Sequence, residues 1–199
     1  MKKSIRLVFD FVSPNAYLIW GPLCKIAEEK NASVEVFPVF LAGMHRLTGN
    51  EPPMIRDAGV KGKVEYAMLE MQRFIAKHKL VNYRLHPNFP FNSITIQRML
   101  FVANQDGRAI DFVEAVLPAI WEQGIDLVGQ EDLSKVVESA GFDASALFER
   151  TQTAEVKDGL VINTQKAVDL GVFGIPSMFI GEEMFFGKER LDQVEEALS

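Results

Sequence analysis

Residues 4–20, SIRLVFDFVSPNAYLIW, contain the transition from strand to helix on which the rest of the architecture is built. Apolar side chains alternate with other residues from Ile5 to Phe9, the period of a strand with one buried face. Ser13 then precedes Pro14. Serine is a favoured helix N-cap, and proline suits the first helical position because the amide that it lacks would have no partner there. The segment therefore predicts a strand that ends in a short turn and leads directly into a helix.

A second strand and a long helical region follow the first helix. Residues 34–40 alternate in the same way as the first strand and predict a parallel partner for it, with the helix as the crossover. We expect a loop over residues 43–53. Helical periodicity then dominates residues 54–170, and Gly171 ends the last helix of this block.

The last part of the chain returns to strands. Residues 175–180 and 184–186 predict a hairpin, and a final helix begins near Gly187. The strands at the two ends must meet in one sheet, which predicts an α/β fold: a thioredoxin-like, four-stranded mixed sheet with a large inserted all-helical subdomain. The predicted division is a thioredoxin-like domain formed by residues 1–40 and 171–199, and a helical insertion, lining the substrate cleft, formed by residues 41–170.

The composition excludes several classes of function. The 199 residues include 21 Lys and Arg against 27 Asp and Glu, a formal net charge of −6 that disfavours nucleic acid as a partner. Cys24 is the only cysteine, so no intrachain disulfide or thiolate zinc site can form, and any thiol chemistry needs an external thiol. No histidine pair has metal-ligand spacing, and we expect no metal. No signal-peptide core or membrane-spanning stretch is present, which predicts a cytoplasmic protein with no membrane partner.

Three features come together if the predicted sheet forms: the Ser13 turn, Ile175-Pro176 before the third strand, and Gly187 at the start of the last helix. A helix N-terminus has unpaired amides and a partial positive charge, which stabilise a nearby anion. A serine hydroxyl is a poor nucleophile without an adjacent base, and no histidine lies near Ser13 in the sequence. We therefore expect Ser13 to donate a hydrogen bond to a bound anionic sulfur or oxygen rather than to attack a substrate.

The sequence resembles the 2-hydroxychromene-2-carboxylate isomerases, within the kappa-class glutathione transferase and DsbA-like branch of the thioredoxin superfamily. The resemblance covers nearly the whole chain. The stretches that carry it are FDFVSPNAYL (residues 9–18), FPFNS (89–93), GVFGIPSMF (171–179) and FFGKERL (185–191). In that family a serine replaces the first redox cysteine, here Ser13, and a non-cysteine residue replaces the second, here Ala16.

This resemblance implies a glutathione-dependent cis-trans isomerase of a ring-opened or hydroxychromene-type aromatic carboxylate. In the implied mechanism Ser13 holds the glutathione thiolate, and the sulfur adds reversibly to the conjugated acid. The former double bond rotates, and elimination returns glutathione unchanged. A cytoplasmic homodimer with a role in aromatic compound catabolism is implied as well.

The resemblance also assigns residues to the glutathione site. Pro176 is expected to be cis, so that the backbone of Ile175 pairs with the backbone of glutathione. The residues that match the binding stretch for the γ-glutamyl end are Phe186, Gly187, Lys188 and Glu189. The family favours an Asn-Asp pair where this chain has Lys188-Glu189, which leaves the carboxylate one methylene longer.

The implied substrate-binding residues are His45, Ile55, Arg56 and Phe91. His45 stands where the family has a lysine, and Arg56 matches an arginine that contacts the substrate. Cationic groups at these positions suit a carboxylate. Ile55 stands where the family often has asparagine, so a polar contact with the substrate is lost.

Other interpretations stay open at the level of sequence. The chain is alternatively a kappa-type glutathione S-transferase or peroxidase that consumes glutathione, or a non-catalytic thioredoxin-like binding module. Cys24 is interpreted as a packing residue in the first helix. The apolar face formed by Met68, Met71 and Phe74 is interpreted as core, with the lining of an aromatic pocket as the alternative.

Overall fold

Residues 3–127 and 129–199 are described by a computed structural model, in which strands at both ends of the chain enclose a helical region. The elements are β1 (Ser4–Phe9), α1 (Pro14–Glu29), β2 (Ser33–Pro38), α2 (Leu41–Thr48), α3 (Pro53–Arg56), α4 (Lys63–His78), α5 (Ile94–Gln105), α6 (Ala109–Trp121), α7 (Gln130–Ser139), α8 (Ala144–Thr151), α9 (Ala154–Asp169), β3 (Ser177–Ile180), β4 (Glu183–Phe186), a single 3₁₀ turn (Lys188–Arg190) and α10 (Leu191–Ala197).

The strands form one mixed sheet in the order β2-β1-β3-β4. β1 pairs in parallel with β2, where Leu7 lies opposite Val36, and antiparallel with β3, where Leu7 lies opposite Met178. β3 and β4 form an antiparallel hairpin. The two ends of the chain therefore meet in one sheet, which confirms the predicted thioredoxin-like fold with a helical insertion.

The core lies on both faces of this sheet. Ile5, Leu7 and Phe9 share one face of β1 and have no solvent exposure, and Val8 on the other face is 1% exposed. α1 contributes Leu18, Ile19 and Leu23 to the same core, and it runs through Pro22 as a single helix. α5 and α6 form the other large part of the core.

The region after β2 is more helical than the sequence indicates. α2 occupies most of residues 43–53 and α3 begins at Pro53, so the prediction of a loop there is wrong. Gly43 lies inside α2, whereas Gly49 ends the helix with φ 69°, a conformation that favours glycine. The sequence pattern does not distinguish a glycine inside a helix from one that ends it.

Two strands differ at their ends from the predicted bounds. β2 ends at Pro38 rather than at residue 40, and β3 begins at Ser177 rather than at Ile175. Pro176 has no amide hydrogen and so cannot join the ladder of hydrogen bonds between strands. Ile175-Pro176 therefore forms the entry to β3 and not its first residues.

α4 exposes much of the face that its pattern predicts as core. Met68 is 41% exposed, Met71 and Phe74 are half-buried, and no residue of α4 is fully buried. The interpretation of Met68 as core is therefore wrong. α4 packs on α1 and contacts the segment after β4 through Phe74 and Lys77, and these contacts do not cover its wide apolar stripe.

Two further observations concern the chain as a whole. No helix in the described part of the chain is both long and apolar enough to cross a membrane. The strands fall within residues 1–40 and 171–199, but whether these segments form a domain separate from residues 41–170 stays a prediction.

Candidate functional site

The Ser13 turn joins the end of β1 to the start of α1, as the sequence predicts. Ser13 is the N-cap of α1: its Oγ accepts a hydrogen bond from the Ala16 amide at 3.3 Å. The same hydroxyl donates to the carbonyl oxygen of Ile175 at 3.2 Å. Ser13 is 5% exposed, so its one proton and one of its lone pairs are both engaged in a nearly water-free position.

The Ile175–Pro176 peptide bond is cis, which confirms that expectation. The carbonyl oxygen of Pro176 accepts a hydrogen bond from the Gly187 amide at 3.0 Å. The fold thus brings together the three features that the sequence predicts to meet: the Ser13 turn, the cis peptide and the start of the last helical segment. Ser13, Ile175, Pro176 and Gly187 form one contiguous group, which we call the Ser13 site.

Two aromatic rings stand at the edge of the Ser13 site. Phe173 and Phe186 have ring centroids 4.5 Å apart, and each residue is 39% exposed. Gly174 lies beneath them, since a β-carbon at this position would stand 2.9 Å from Cε2 of Phe186. The absence of a side chain at residue 174 lets the Phe186 ring lie directly against the backbone that leads to the cis peptide.

Lys188 and Glu189 pair with each other in this structure. Lys188 is only 6% exposed, and its ammonium group contacts the Glu189 carboxylate and lies 5.9 Å from the ring centre of Phe74 on α4. Glu189 itself remains half exposed. The longer carboxylate is therefore already partly neutralised by the neighbouring lysine.

The predicted substrate residue Arg56 belongs to a network of charges at the end of α3. Its guanidinium group donates to both oxygens of Asp57, at 2.9 and 3.1 Å, and Lys63 donates to the same carboxylate at 2.8 Å. Arg56, followed by Lys63, holds the pKa of the Asp57 carboxyl well below its usual range. The guanidinium group is thus oriented by a fixed carboxylate before any substrate arrives.

The predicted substrate residues His45 and Ile55 differ from Arg56 in charge and in polarity. His45 on α2 is half-buried, and burial, followed by the charge of Arg56, lowers the pKa of its imidazole. A lowered pKa leaves this imidazole neutral near pH 7, so it supplies hydrogen bonds there rather than a positive charge. Ile55 is 63% exposed on α3.

Asn50 is a residue of this region that sequence reasoning missed. Its side-chain amide donates to the carbonyl oxygen of Phe173 at 2.7 Å, and its Oδ1 lies 3.4 Å from a guanidinium nitrogen of Arg56. Asn50 therefore connects the Arg56 network to the segment that enters the Ser13 site. The available signal was a polar residue directly after the glycine that ends α2.

Phe91 lies within an aromatic cluster around Trp121. Its ring centroid is 6.0 Å from that of Trp121 and 5.1 Å from that of His86. His86 is buried, with one ring nitrogen near the Ile125 carbonyl oxygen and the other accepting from the Asn88 amide. These contacts support a packing role for Phe91, and its predicted contact with substrate stays a prediction.

The site is built from hydrogen-bond donors and a helix terminus. No group of three or more His, Cys, Asp or Glu side chains within residues 3–127 and 129–199 is arranged to hold a metal ion. The Ser13 hydroxyl and the N-terminus of α1 stand together, and both stabilise an anion. Such an arrangement suits the binding of a thiolate or a carboxylate.

Comparison with known proteins assigns the family. A sequence model of the DSBA-like thioredoxin domain matches residues 4–199. A 2-hydroxychromene-2-carboxylate isomerase from Sphingobium xenophagum is 31% identical, over 100% of this chain and 99% of that protein. This chain belongs to the DsbA-like thioredoxin family, in its 2-hydroxychromene-2-carboxylate isomerase branch.

A solved structure and a more distant relative are also similar to this chain over nearly its whole length. The structure of a 2-hydroxychromene-2-carboxylate isomerase superposes with a TM-score of 0.83 at 28% identity, covering 98% of this chain and 94% of the other. Human glutathione S-transferase kappa 1 is 22% identical over 96% of this chain and 89% of its own. The relatives are isomerases and glutathione transferases by name, which supports an enzyme.

Proposed function

We propose that this protein is a glutathione-dependent cis-trans isomerase of a ring-opened or hydroxychromene-type aromatic carboxylate. The observation that carries the proposal is the position of the Ser13 hydroxyl, at the N-terminus of α1 and 3.2 Å from the carbonyl oxygen of the cis Ile175–Pro176 peptide. Full-length similarity to three proteins named as 2-hydroxychromene-2-carboxylate isomerases supports the reaction class.

The residues of the Ser13 site fit the central part of glutathione. Ile175 and Pro176 present backbone groups beside the hydroxyl, as a peptide ligand requires. Asn15, in the first turn of α1, has a buried Oδ1 without a hydrogen-bond partner, which suits a donor from a ligand. At the γ-glutamyl end, Glu189 would exchange its contact with Lys188 for the ligand's amino group.

Ser13 has the central part in this proposal. Glutathione, when bound, supplies a thiolate that can add to a conjugated double bond. To stabilise the sulfur, the Ser13 hydroxyl rotates away from the Ile175 carbonyl oxygen, which becomes free to accept an amide hydrogen from the peptide. The partial positive charge at the N-terminus of α1 favours the thiolate over the thiol.

Arg56 and the aromatic rings are the proposed substrate contacts. The guanidinium group, held by Asp57, is oriented to pair with the carboxylate of the acid. The exposed rings of Phe173 and Phe186 offer a surface on which an aromatic ring stacks. His45, Ile55 and Phe91 complete the proposed substrate region.

The test is an assay of isomerisation with 2-hydroxychromene-2-carboxylate, glutathione and the purified protein. We expect conversion that requires glutathione and leaves the free-thiol concentration constant over many turnovers. Ser13→Ala should lower kcat/KM roughly 100-fold, as expected when a donor to a developing anion is removed. Absence of conversion by the wild type, at any glutathione concentration, would refute the proposal.

Thr153→Ala is the matched control for Ser13→Ala. Thr153 caps α9 through a hydrogen bond from the Val156 amide to its Oγ1 at 3.3 Å, so both variants lose an N-cap. Loss of a cap costs about 1 kcal/mol of stability. Thr153→Ala should therefore lose stability by a similar amount and keep its activity.

A kappa-type glutathione transferase is the second candidate, favoured by the kappa transferases among the relatives. It predicts loss of free thiol in proportion to product. The same assay separates the two, because an isomerase returns every thiol. A homodimer, a cytoplasmic location and a role in aromatic compound catabolism remain predictions from the resemblance.

A further inference from the structure

Asp10 is a fully buried carboxylate that none of the roles above uses. It follows β1 directly and has no solvent exposure. Its Oδ1 accepts from the Val12 amide at 3.0 Å, and its Oδ2 accepts from the Leu41 amide at 2.8 Å. The Ser93 hydroxyl is a third donor near this carboxyl and lowers its pKa. A buried carboxylate with three donors is a built feature of the fold.

These three donors belong to three different segments. Val12 lies in the Ser13 turn, and the Ser13 amide also donates to the backbone oxygen of Asp10 at 3.1 Å. Leu41 is the first residue of α2, the helix that carries His45 and leads to Asn50. Ser93 is the N-cap residue of α5. One side chain therefore fixes the Ser13 turn relative to the segment that holds the proposed substrate contacts.

The ionised form of this side chain makes the stronger bonds. An ionised carboxylate only accepts hydrogen bonds, and the Val12 and Leu41 amides donate to its two oxygens. Protonation places a hydrogen on one of these oxygens and removes the negative charge, which weakens both bonds. We propose that ionised Asp10 is a positioning residue of the Ser13 site, which holds the Ser13 turn and the start of α2 in the geometry that catalysis needs.

The surroundings of Asp10 place its titration in an accessible range of pH. Burial raises the pKa of its carboxyl to about 6, opposed in order by the bonds from Leu41, Val12 and Ser93. None of these partners is a charged side chain. The titratable or charged residues next along the packed elements are Tyr17 on α1, His45 on α2 and Arg98 on α5, and none of them is a cause of this shift.

The inference rests on the proposed function, and Asp10→Asn tests it through the pH profile of kcat. The amide keeps the size of the side chain, but its NH₂ group faces a donor. We expect kcat of the wild type to fall as the pH drops through about 6, which is the acid limb of the pH profile. Asp10→Asn should lack this acid limb. At pH 7.5 the variant should be slower by roughly 10- to 100-fold, the effect of a misplaced reacting group.

Two further variants separate positioning from a general loss of structure. Thr164→Val removes the acceptor of the Phe40 amide, a bond of 2.9 Å one residue before Leu41, without touching the Ser13 turn. It should keep the acid limb and most of the activity. Ser93→Ala removes the hydroxyl that lowers the pKa of Asp10, so its acid limb should move to higher pH. Ser93→Ala also serves if Asp10→Asn does not fold.

The chemical shifts of backbone amides, measured by NMR, test the role of Asp10 without an assay of the reaction. In the wild type the Val12 and Leu41 amides should titrate together with a midpoint near pH 6, and they should not do so in Asp10→Asn. An inactive wild type whose amides titrate in this way refutes the proposed function and leaves the geometry of Asp10 intact. An active wild type overturns the inference if Asp10→Asn retains the acid limb, or if Thr164→Val loses as much activity.

Discussion

Ser13 and Asp10 lie three residues apart, and their burial has opposite consequences for the free energy of folding. The Ser13 hydroxyl is neutral, and two backbone groups satisfy it, the Ala16 amide and the Ile175 carbonyl oxygen. The Asp10 carboxylate has three donors, yet burial still raises its pKa to about 6. The cost of removing this charge from water therefore exceeds the benefit of its hydrogen bonds.

This imbalance predicts how stability depends on pH. The pKa of Asp10 is about 6 in the folded chain against an ordinary value of 3.8, so between these pH values the folded state binds more protons than the unfolded state. The contribution of Asp10 to the free energy of unfolding is then fully favourable below pH 4 and is lost as the pH rises through 6. The shift of about two pKa units corresponds to about 3 kcal/mol.

Chemical denaturation of the wild type and Asp10→Asn at pH 5 and pH 7.5 checks this sign. The difference in the free energy of unfolding, variant minus wild type, should be larger at pH 7.5, because only the wild type then carries the buried charge. Thr164→Val should differ from the wild type by the same amount at both pH values. A difference for Asp10→Asn that is equal at both would contradict the raised pKa.

The two residues differ in how far the sequence reveals them. Ser13 before Pro14 has the local pattern of an N-cap, and the structure has that cap. Asp10 gives only the signal of a polar residue at the end of a strand. Its partners Leu41 and Ser93 are distant in the sequence, so only the folded chain shows that they share one carboxylate.

Among the elements, the segment between α2 and α4 contributes Asn50 and Arg56 to the candidate site. Its sequence gives the weakest indication of secondary structure. Asn50 ties it to the strand side through the Phe173 carbonyl oxygen. Asn50→Ala removes this bond and the contact with Arg56. We expect faster amide hydrogen exchange over residues 50–57 and a higher KM for the aromatic acid, with a smaller change in kcat, because the Arg56 network loses its support.

Asn88→Ala is the matched control for this variant. Asn88 is another asparagine whose side-chain amide bridges two segments, at 2.8 Å from the Asp126 carboxylate. Its loss should speed exchange near residue 88 and leave KM unchanged. An unchanged KM in Asn50→Ala would separate this segment from substrate binding.

β1, β2 and the long helices were predictable because each has a clear period. β1 and β2 follow the alternation of apolar residues, whereas β3 and β4 are short apolar runs on either side of a turn. The glycines at 124 and 141 have positive φ after α6 and α7. α2 and α3 were not predictable, since each is short and contains or follows glycine or proline. At the start of α2, the tertiary bond from the Leu41 amide to Asp10 adds stability that the local sequence does not show.

At the scale of the whole molecule, the chain joins its two ends in one sheet and leaves much of α4 exposed. The order of strands predicted this sheet, since two separated strand segments have no other partners. The exposure of α4 was not predictable, because an amphipathic pattern gives the apolar face but not the element that covers it. Met68 on that face is 41% exposed.

The single thiol of the chain gives a test of where the sulfur chemistry originates. Cys24 lies within α1, well past the Ser13 turn, and burial, followed by the charge of Glu114, raises the pKa of its thiol to about 11. A thiol with such a pKa is not a thiolate at neutral pH, so it neither attacks a substrate nor exchanges with a disulfide at a useful rate. Cys24→Ser should therefore keep kcat, KM and the dependence on glutathione within about twofold of the wild type, the scale of a small packing change. Ser13→Ala, which leaves Cys24 in place, should lose activity. Loss of activity in Cys24→Ser, with stability unchanged, would assign the reacting sulfur to the protein and contradict the requirement for an external thiol.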